Sequence, residues 1–180
     1  MKLTIDAHKK GFTLLELVVA MSISAIILQM GIANYQRFNR TQTLNNTGLG
    51  VKNALKDAQT KAIAAVKPDT CAVSSTLDYY EMTLLDDCGG GRACIESQAW
   101  CSGVASGPRS TFILPLNYSW NAVPSSDIQF LPLRGSSSVT GDIDIQGTLS
   151  TEVWFYRIHI DAGGEIQDCG YQKDSAPTCP

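Results

Sequence analysis

The chain has 180 residues, 44% of them apolar, and a formal charge of −3 at neutral pH. That balance leaves no electrostatic footprint for polyphosphate partners, because binding to nucleic acid draws on clustered Lys and Arg and no such cluster occurs here. Once a membrane segment is set aside, about 145 residues remain, enough for one exported domain of ordinary size.

The N-terminal segment Lys9-Lys10-Gly11-Phe12-Thr13-Leu14-Leu15-Glu16 runs directly into an apolar stretch that ends near Tyr35. After Glu16 no charged residue appears until Arg37. The twenty residues between them would span about 30 Å as a helix, which matches the hydrocarbon core of a bilayer. Lys2, Lys9 and Lys10 precede the run, so the positive-inside bias predicts a cytoplasmic N-terminus and an exported remainder. Glu16 is the anomaly in this pattern, since a carboxylate in the apolar part of a spanning helix costs roughly 2.5 to 3.5 kcal/mol. It therefore calls for a partner, unless it is only an acidic residue favoured in a first helical turn by the helix dipole. Gly31-Ile32-Ala33 is a small-x-small triplet that would also suit an ordinary signal peptide cut after Ala33. Glu16 counts against that reading because it would interrupt the start of the apolar region.

Gly11-Phe12-Thr13-Leu14-Leu15-Glu16 after a short basic leader resembles the class III signal of type IV pilins and of the pseudopilins of type II secretion systems. The resemblance implies that a membrane-embedded prepilin peptidase cuts between Gly11 and Phe12, and that the new N-terminus at Phe12 is methylated. The family's glutamate, four residues beyond Phe12, falls on Glu16. Its implied role is to pair with the free N-terminal amine of a neighbouring subunit. Two charges about 4 Å apart in a poorly hydrated place attract strongly and offset part of each other's desolvation.

Downstream, Leu44, Gly48, Val51, Leu55, Ala58, Ala62 and Ala65 recur at steps of three and four, with Asn45, Lys52, Lys56, Gln59 and Lys67 on the other face. This predicts an amphipathic helix over 36–67 that continues the membrane helix of 12–35 and stops at Pro68. Gly48 and Gly50 are its weak point, where a kink or melted stretch is expected.

From Pro68 the pattern changes to short strands separated by turn residues. The expected runs are Cys71 to Leu77, Tyr79 to Leu85, Thr111 to Tyr118, Ile128 to Leu133, Gly141 to Gln146 and Glu152 to Ile160. The last, followed by Asp161-Ala162-Gly163-Gly164 and Glu165 to Cys169, reads as a hairpin. Trp154, Tyr156, Ile158 and Ile160 alternate with Val153, Phe155, Arg157 and His159, so one apolar face is expected to pack on the amphipathic helix. The predicted fold class is α+β: a long N-terminal helix on an antiparallel sheet in an exported, disulfide-bonded head over 68–180. Ile128-Gln129-Phe130-Leu131-Pro132 leading to Gly135, the Asp161-x-Gly-Gly turn and Gly164-Glu165-Ile166-Gln167-Asp168-Cys169 resemble the C-terminal sheet of the GspH/FimT group of minor pilins. Leu49 to Pro68 resembles that group's segment before its first strand. The region from Cys71 to Gly107, with four cysteines, departs from the group's pattern.

All six cysteines, Cys71, Cys88, Cys94, Cys101, Cys169 and Cys179, fall in the exported part, which suggests disulfides. Cys169 and Cys179 enclose a short C-terminal loop, so their pairing is favoured, and the loop is similar to the disulfide-bounded C-terminal region of many pilins. The other four are expected to pair among themselves and to close the segment around Gly89-Gly90-Gly91. Zinc is the rival reading, but Cys-x2-4-Cys spacing does not occur. Asp142-Ile143-Asp144 mimics the start of a calcium loop without its glutamate, and reads better as the polar face of a strand.

His159 is the one histidine left beyond the leader, and no nucleophile pattern, phosphate motif or metal constellation accompanies it. The reading is therefore a protein that is not an enzyme, with no cofactor and no metal. Tyr118, Trp120, Trp100 and Trp154 are candidates for a sugar-binding surface, although aromatic residues in a sheet protein are more often core. The expected function is a structural subunit, a minor pilin or pseudopilin, of a type IV pilus or type II secretion filament. Its partners would be prepilin peptidase, other pilin subunits, the inner-membrane assembly platform and inner-membrane lipid. The alternative is a monomeric, membrane-anchored or secreted disulfide-rich binding protein that never polymerises.

Overall fold

The computed structural model describes residues 13–149 and 152–179. It divides into two compact units, Met1–Arg40 and Thr41–Pro180. A single helix, α1 (Leu14–Ile63), supplies the described part of the first unit and opens the second.

Both ends of α1 are specified by local chemistry. Thr13 stands just before the helix, and its Oγ1 accepts the Glu16 N–H at 3.3 Å. Thr-Leu-Leu-Glu has the spacing of a capping box, and Glu16 places an acid in the first turn where the helix dipole favours it. At the other end Ala65 adopts a φ of 48°, the Val66 N–H donates to the Lys61 carbonyl at 3.0 Å, and the Ala65 N–H donates to the Ala62 carbonyl at 2.9 Å. These two bonds form a Schellman motif that turns the chain out of the helix. The helix thus ends at Ile63, short of the Lys67 expected from the position of Pro68: the left-handed turn at Ala65 stops it first.

No break occurs at Gly48 or Gly50, which lie within continuous helix. The glycines are there for clearance rather than flexibility. A Cβ on Gly48 would overlap the ring of Tyr156, and one on Gly50 would overlap the ring of Phe112.

Among its described residues the second unit carries eight strands in two antiparallel four-stranded sheets, where the sequence suggested one. They are β1 (Leu77–Leu85), β2 (Cys94–Cys101), β3 (Val104–Ile113), β4 (Tyr118–Ala122), β5 (Asp127–Phe130), β6 (Gly141–Leu149), β7 (Glu152–Ile160) and β8 (Ile166–Lys173). One sheet has the order β3-β2-β1-β5, the other β4-β6-β7-β8. Along β1 and β2 burial alternates, as it must where one face of a pleated strand meets a core. Within this unit α1 meets both sheets: Gly48 lies against Tyr156 of β7 and Gly50 against Phe112 of β3. The shared core joins Leu44, Val51, Leu55, Ala58 and Ala62 of the helix to Met82, Ile95, Phe130, Ile145, Tyr156 and Ile158 of the sheets. Gln59 ties the layers further, with its Nε2 donating to the carbonyls of Gly135 at 2.9 Å and Gly164 at 2.5 Å.

Several strand boundaries differ from expectation for identifiable reasons. Cys71 to Thr76 is a pair of turns, with the Cys71 N–H on the Pro68 carbonyl and the Ser75 N–H on the Ala72 carbonyl, both at 2.9 Å. The run predicted over Thr111 to Tyr118 is divided between β3 and β4, with Leu114 to Asn117 outside both. Leu133 turns left-handed with φ 64°, and the Gly135 N–H closes back on the Leu131 carbonyl at 2.9 Å, which limits β5 to Phe130. The hairpin of β7 and β8 forms as expected: the Asp161 carboxylate accepts the Glu165 N–H at 2.8 Å and Gly164 supplies the positive φ of 85°.

Candidate functional site

Gly11 and Phe12, the expected cleavage and methylation positions, lie outside the described residues. Glu16 is described, on an exposed position of the first turn of α1. The next stretch of helix is apolar on every side: Leu14 is 82%, Met21 65% and Ile26 62% exposed, and Leu15, Leu17, Val18, Ile23, Ile27 and Leu28 are likewise open. A helix that is hydrophobic all round belongs in a core or a membrane, not in water. Its two serine hydroxyls are already satisfied internally. Ser22 Oγ donates to the Val18 carbonyl and Ser24 Oγ to the Ala20 carbonyl, each at 2.8 Å, so neither hydroxyl needs water.

The face made by Leu17, Ala20, Met21, Ser24, Ala25 and Leu28 forms a shallow apolar groove of about 420 Å³. Its residues recur at three- and four-residue steps, and the small ones among them set its floor. Such a stripe lets another helix approach closely. Among the described residues no helix is long and apolar enough to cross a membrane; the apolar run in the sequence continues through Met30, Gly31 and Ala33, whose side chains lie outside the described set.

The six cysteines form three disulfides: Cys71–Cys101, Cys88–Cys94 and Cys169–Cys179, with Cα separations of 6.0, 6.0 and 4.7 Å. The first anchors the turns before β1 to the end of β2. The second closes the Gly89-Gly90-Gly91 loop, where the Asp87 carboxylate accepts the N–H groups of Gly89 and Gly91 at 2.8 and 3.1 Å. The third pins the tail to β8.

The candidate sugar-binding aromatics do not share a surface. Tyr118 is buried in the core, and Trp120 spends its indole N–H on the Leu85 carbonyl at 3.0 Å. Trp100 stacks on Tyr79 at 5.7 Å and donates to Glu81 at 2.8 Å, whereas Trp154 lies against Tyr171 at 6.2 Å.

His159 does sit in a charged group that sequence spacing did not reveal. Its Nδ1 is 2.6 Å from Asp142 Oδ1, and Arg157 joins Asp142 at 3.0 Å and grips Asp144 through two bonds of 2.7 and 2.8 Å. Asp144 is only 2% exposed, so it does not sit on an open polar strand face. The register of β6 on β7, which sets Asp142 opposite His159 and Asp144 opposite Arg157, would have disclosed the group, but pairing register is not readable from a lone sequence.

Comparison with known proteins adds one finding at the N-terminus. The family described as prokaryotic N-terminal methylation motif matches residues 6–28, the segment that contains Gly11, Phe12 and Glu16. No curated protein and no solved structure matches the chain. The motif stands at the head of one long helix followed by antiparallel sheets, an α+β arrangement that fits a type IV pilin-like precursor.

Proposed function

We propose that the chain is a filament subunit, a minor pilin or pseudopilin of the GspH/FimT kind, in a type IV pilus or type II secretion filament. Prepilin peptidase cuts after Gly11 and methylates Phe12. The apolar segment then holds the subunit in the inner membrane as a single span, N-terminus cytoplasmic and head periplasmic, until the assembly platform draws it into the filament. The observation that carries this reading is the methylation motif over residues 6–28 running into a helix whose apolar side chains are exposed among the described residues of their own unit. Such a helix is stable in two surroundings, lipid and a bundle of like helices, and the groove around Ala20, Ser24 and Ala25 suits the second.

Glu16 is the specificity element in this scheme. Packed among apolar neighbours it needs a cation, and the methylated amine of an adjoining subunit supplies one. The head serves as a rigid structural module rather than a catalyst. Mass spectrometry of the mature N-terminus, with and without prepilin peptidase, tests the reading: a chain beginning at methylated Phe12 supports it, whereas one beginning at Asn34 or at an intact Met1 defeats it.

A further inference from the structure

The C-terminal tail meets β6 and β7 at a group of side chains to which the proposed function gives no role. A ring nitrogen of His159, a carboxylate oxygen of Asp142 and the Sγ of Cys179 all lie within 4.8 Å of one another. They come from β7, β6 and the tail, and Cys169 of β8 holds a second sulfur one S–S bond away from Cys179, just outside that group. Arg157 touches Asp142, yet its charge is chiefly answered by the buried Asp144 through two hydrogen bonds. The Asp142 carboxylate therefore keeps ligand capacity on the side that faces His159. Reductant access also favours this bridge, whose two cysteines are both half-buried: Cys71 and Cys101 are both buried, and Cys88 is half-buried but bonded to the fully buried Cys94.

We propose that reduction of Cys169–Cys179 by a dithiol converts this group into a binding site for a zinc-class divalent metal. The S–S bond breaks, the dithiol is oxidised to its own disulfide as it gives up two electrons and two protons, and the metal then displaces the two thiol protons. The ligands are the thiolates of Cys169 and Cys179, the imidazole of His159 and the carboxylate of Asp142. That is a four-donor N/S/O set of the type Zn²⁺ takes in tetrahedral geometry. His159 Nδ1 and Asp142 Oδ1, now 2.6 Å apart, need to separate by less than about 1 Å for each to reach a metal at its usual bond length. In the oxidised state neither sulfur is a thiolate, so the site exists only after reduction. A second group, Cys88, Cys94 and Glu96, is also closely spaced, but it lacks an imidazole, its Cys94 is sealed from solvent, and its Glu96 is paired with Arg109 at 2.9 Å.

The test uses the full chain in detergent, before and after dithiol treatment and anaerobic desalting, titrated with Zn²⁺ against a chromophoric chelator and with Co²⁺ for the visible bands of tetrahedral thiolate coordination. The reduced protein should bind one equivalent and the oxidised protein none. His159→Gln and Asp142→Asn should each weaken binding by about tenfold or more, and Glu96→Gln should leave it unchanged. Equal binding by oxidised and reduced protein overturns the proposal. So does full affinity in His159→Gln, a variant that leaves the Arg157–Asp144 pairing in place and so keeps the fold. Loss of binding on Glu96→Gln would move the metal to the other cysteines and overturn it as well.

Discussion

The two stretches of α1 are built on the same backbone and obey opposite rules of burial. From Leu17 to Leu28 apolar side chains occupy every face and are exposed; from Leu44 to Ala62 only one face is apolar, and Leu44, Val51, Leu55, Ala58 and Ala62 are fully buried. In the second stretch the chain provides its own cover, two sheets that approach so closely that Gly48 and Gly50 have no room for a side chain. Among the described residues of its own unit the first stretch has no such cover. A soluble domain rarely tolerates an apolar patch of that extent unless it is a contact surface. Exposure there and burial here therefore describe one design: the rear of the helix specifies the fold, and the front, on the proposed function, specifies what the fold joins.

The largest effect should come from Glu16. Because its side chain is exposed within the subunit, Glu16→Ala should leave head stability unchanged, as read by thermal melting. Breaking a desolvated charge pair costs about 3 to 5 kcal/mol, so incorporation into filaments should fall more than a hundredfold, as measured by quantitative immunoblotting of sheared fibres. Normal incorporation would remove the proposed role of the acid. At the rear of the helix the outcome reverses. Leu55→Ala empties a fully buried site and should cost the head about 2 to 5 kcal/mol in denaturant unfolding, with no assembly defect beyond the loss of folded protein.

Gly48→Ala sharpens the comparison, because helix propensity and packing make opposite forecasts. Propensity alone favours alanine by about 1 kcal/mol. The new methyl would, however, overlap the ring of Tyr156, which is fully buried and has no room to retreat. Overpacking of this kind costs about 1 to 3 kcal/mol, so the variant should be less stable than the parent. A rise in stability would show that the glycine is a propensity defect after all.

Legibility followed the range of the interactions involved. The N-terminal motif, the all-round apolarity before Arg37, the three-four spacing from Leu44 to Ala62 and the β7–β8 hairpin are local, and each could be read from neighbours in sequence. Gly48 was misread because helix propensity was the one local rule that applied, whereas the deciding contact with Tyr156 is more than a hundred residues away. β2 escaped notice because its inward positions, Ile95, Ser97, Ala99 and Cys101, are mostly small or polar and give no hydrophobic alternation. The split into two sheets and the cluster of Asp142, Asp144, Arg157 and His159 depend on pairing register and on how strands sort between sheets, which a single sequence does not encode in any local pattern.

The smallest effect concerns the ion pair that joins the rear of the helix to the last strand. Lys52 Nζ lies 3.4 Å from Asp168 Oδ2. Burial by itself raises the Asp168 pKa, but the Gly170 N–H, the Tyr156 hydroxyl and Lys52 together outweigh it and hold the carboxyl below its ordinary range. A carboxylate whose folded pKa is depressed binds fewer protons folded than unfolded just below that range, so its contribution to stability is complete above the unfolded pKa and is lost as the pH falls through the folded one. Melting temperature should therefore decline as the solution is acidified below about pH 4. Lys52→Met removes one of the three supports while keeping the aliphatic stem. With both partners partly exposed, the loss at neutral pH should be at most about 1 kcal/mol, and the acid-side decline should become shallower. A steeper decline in the variant, followed by thermal melting from pH 6 to pH 3, would mean that Lys52 raises the Asp168 pKa in place, and the bond between α1 and β8 would then be a contact of packing rather than of charge.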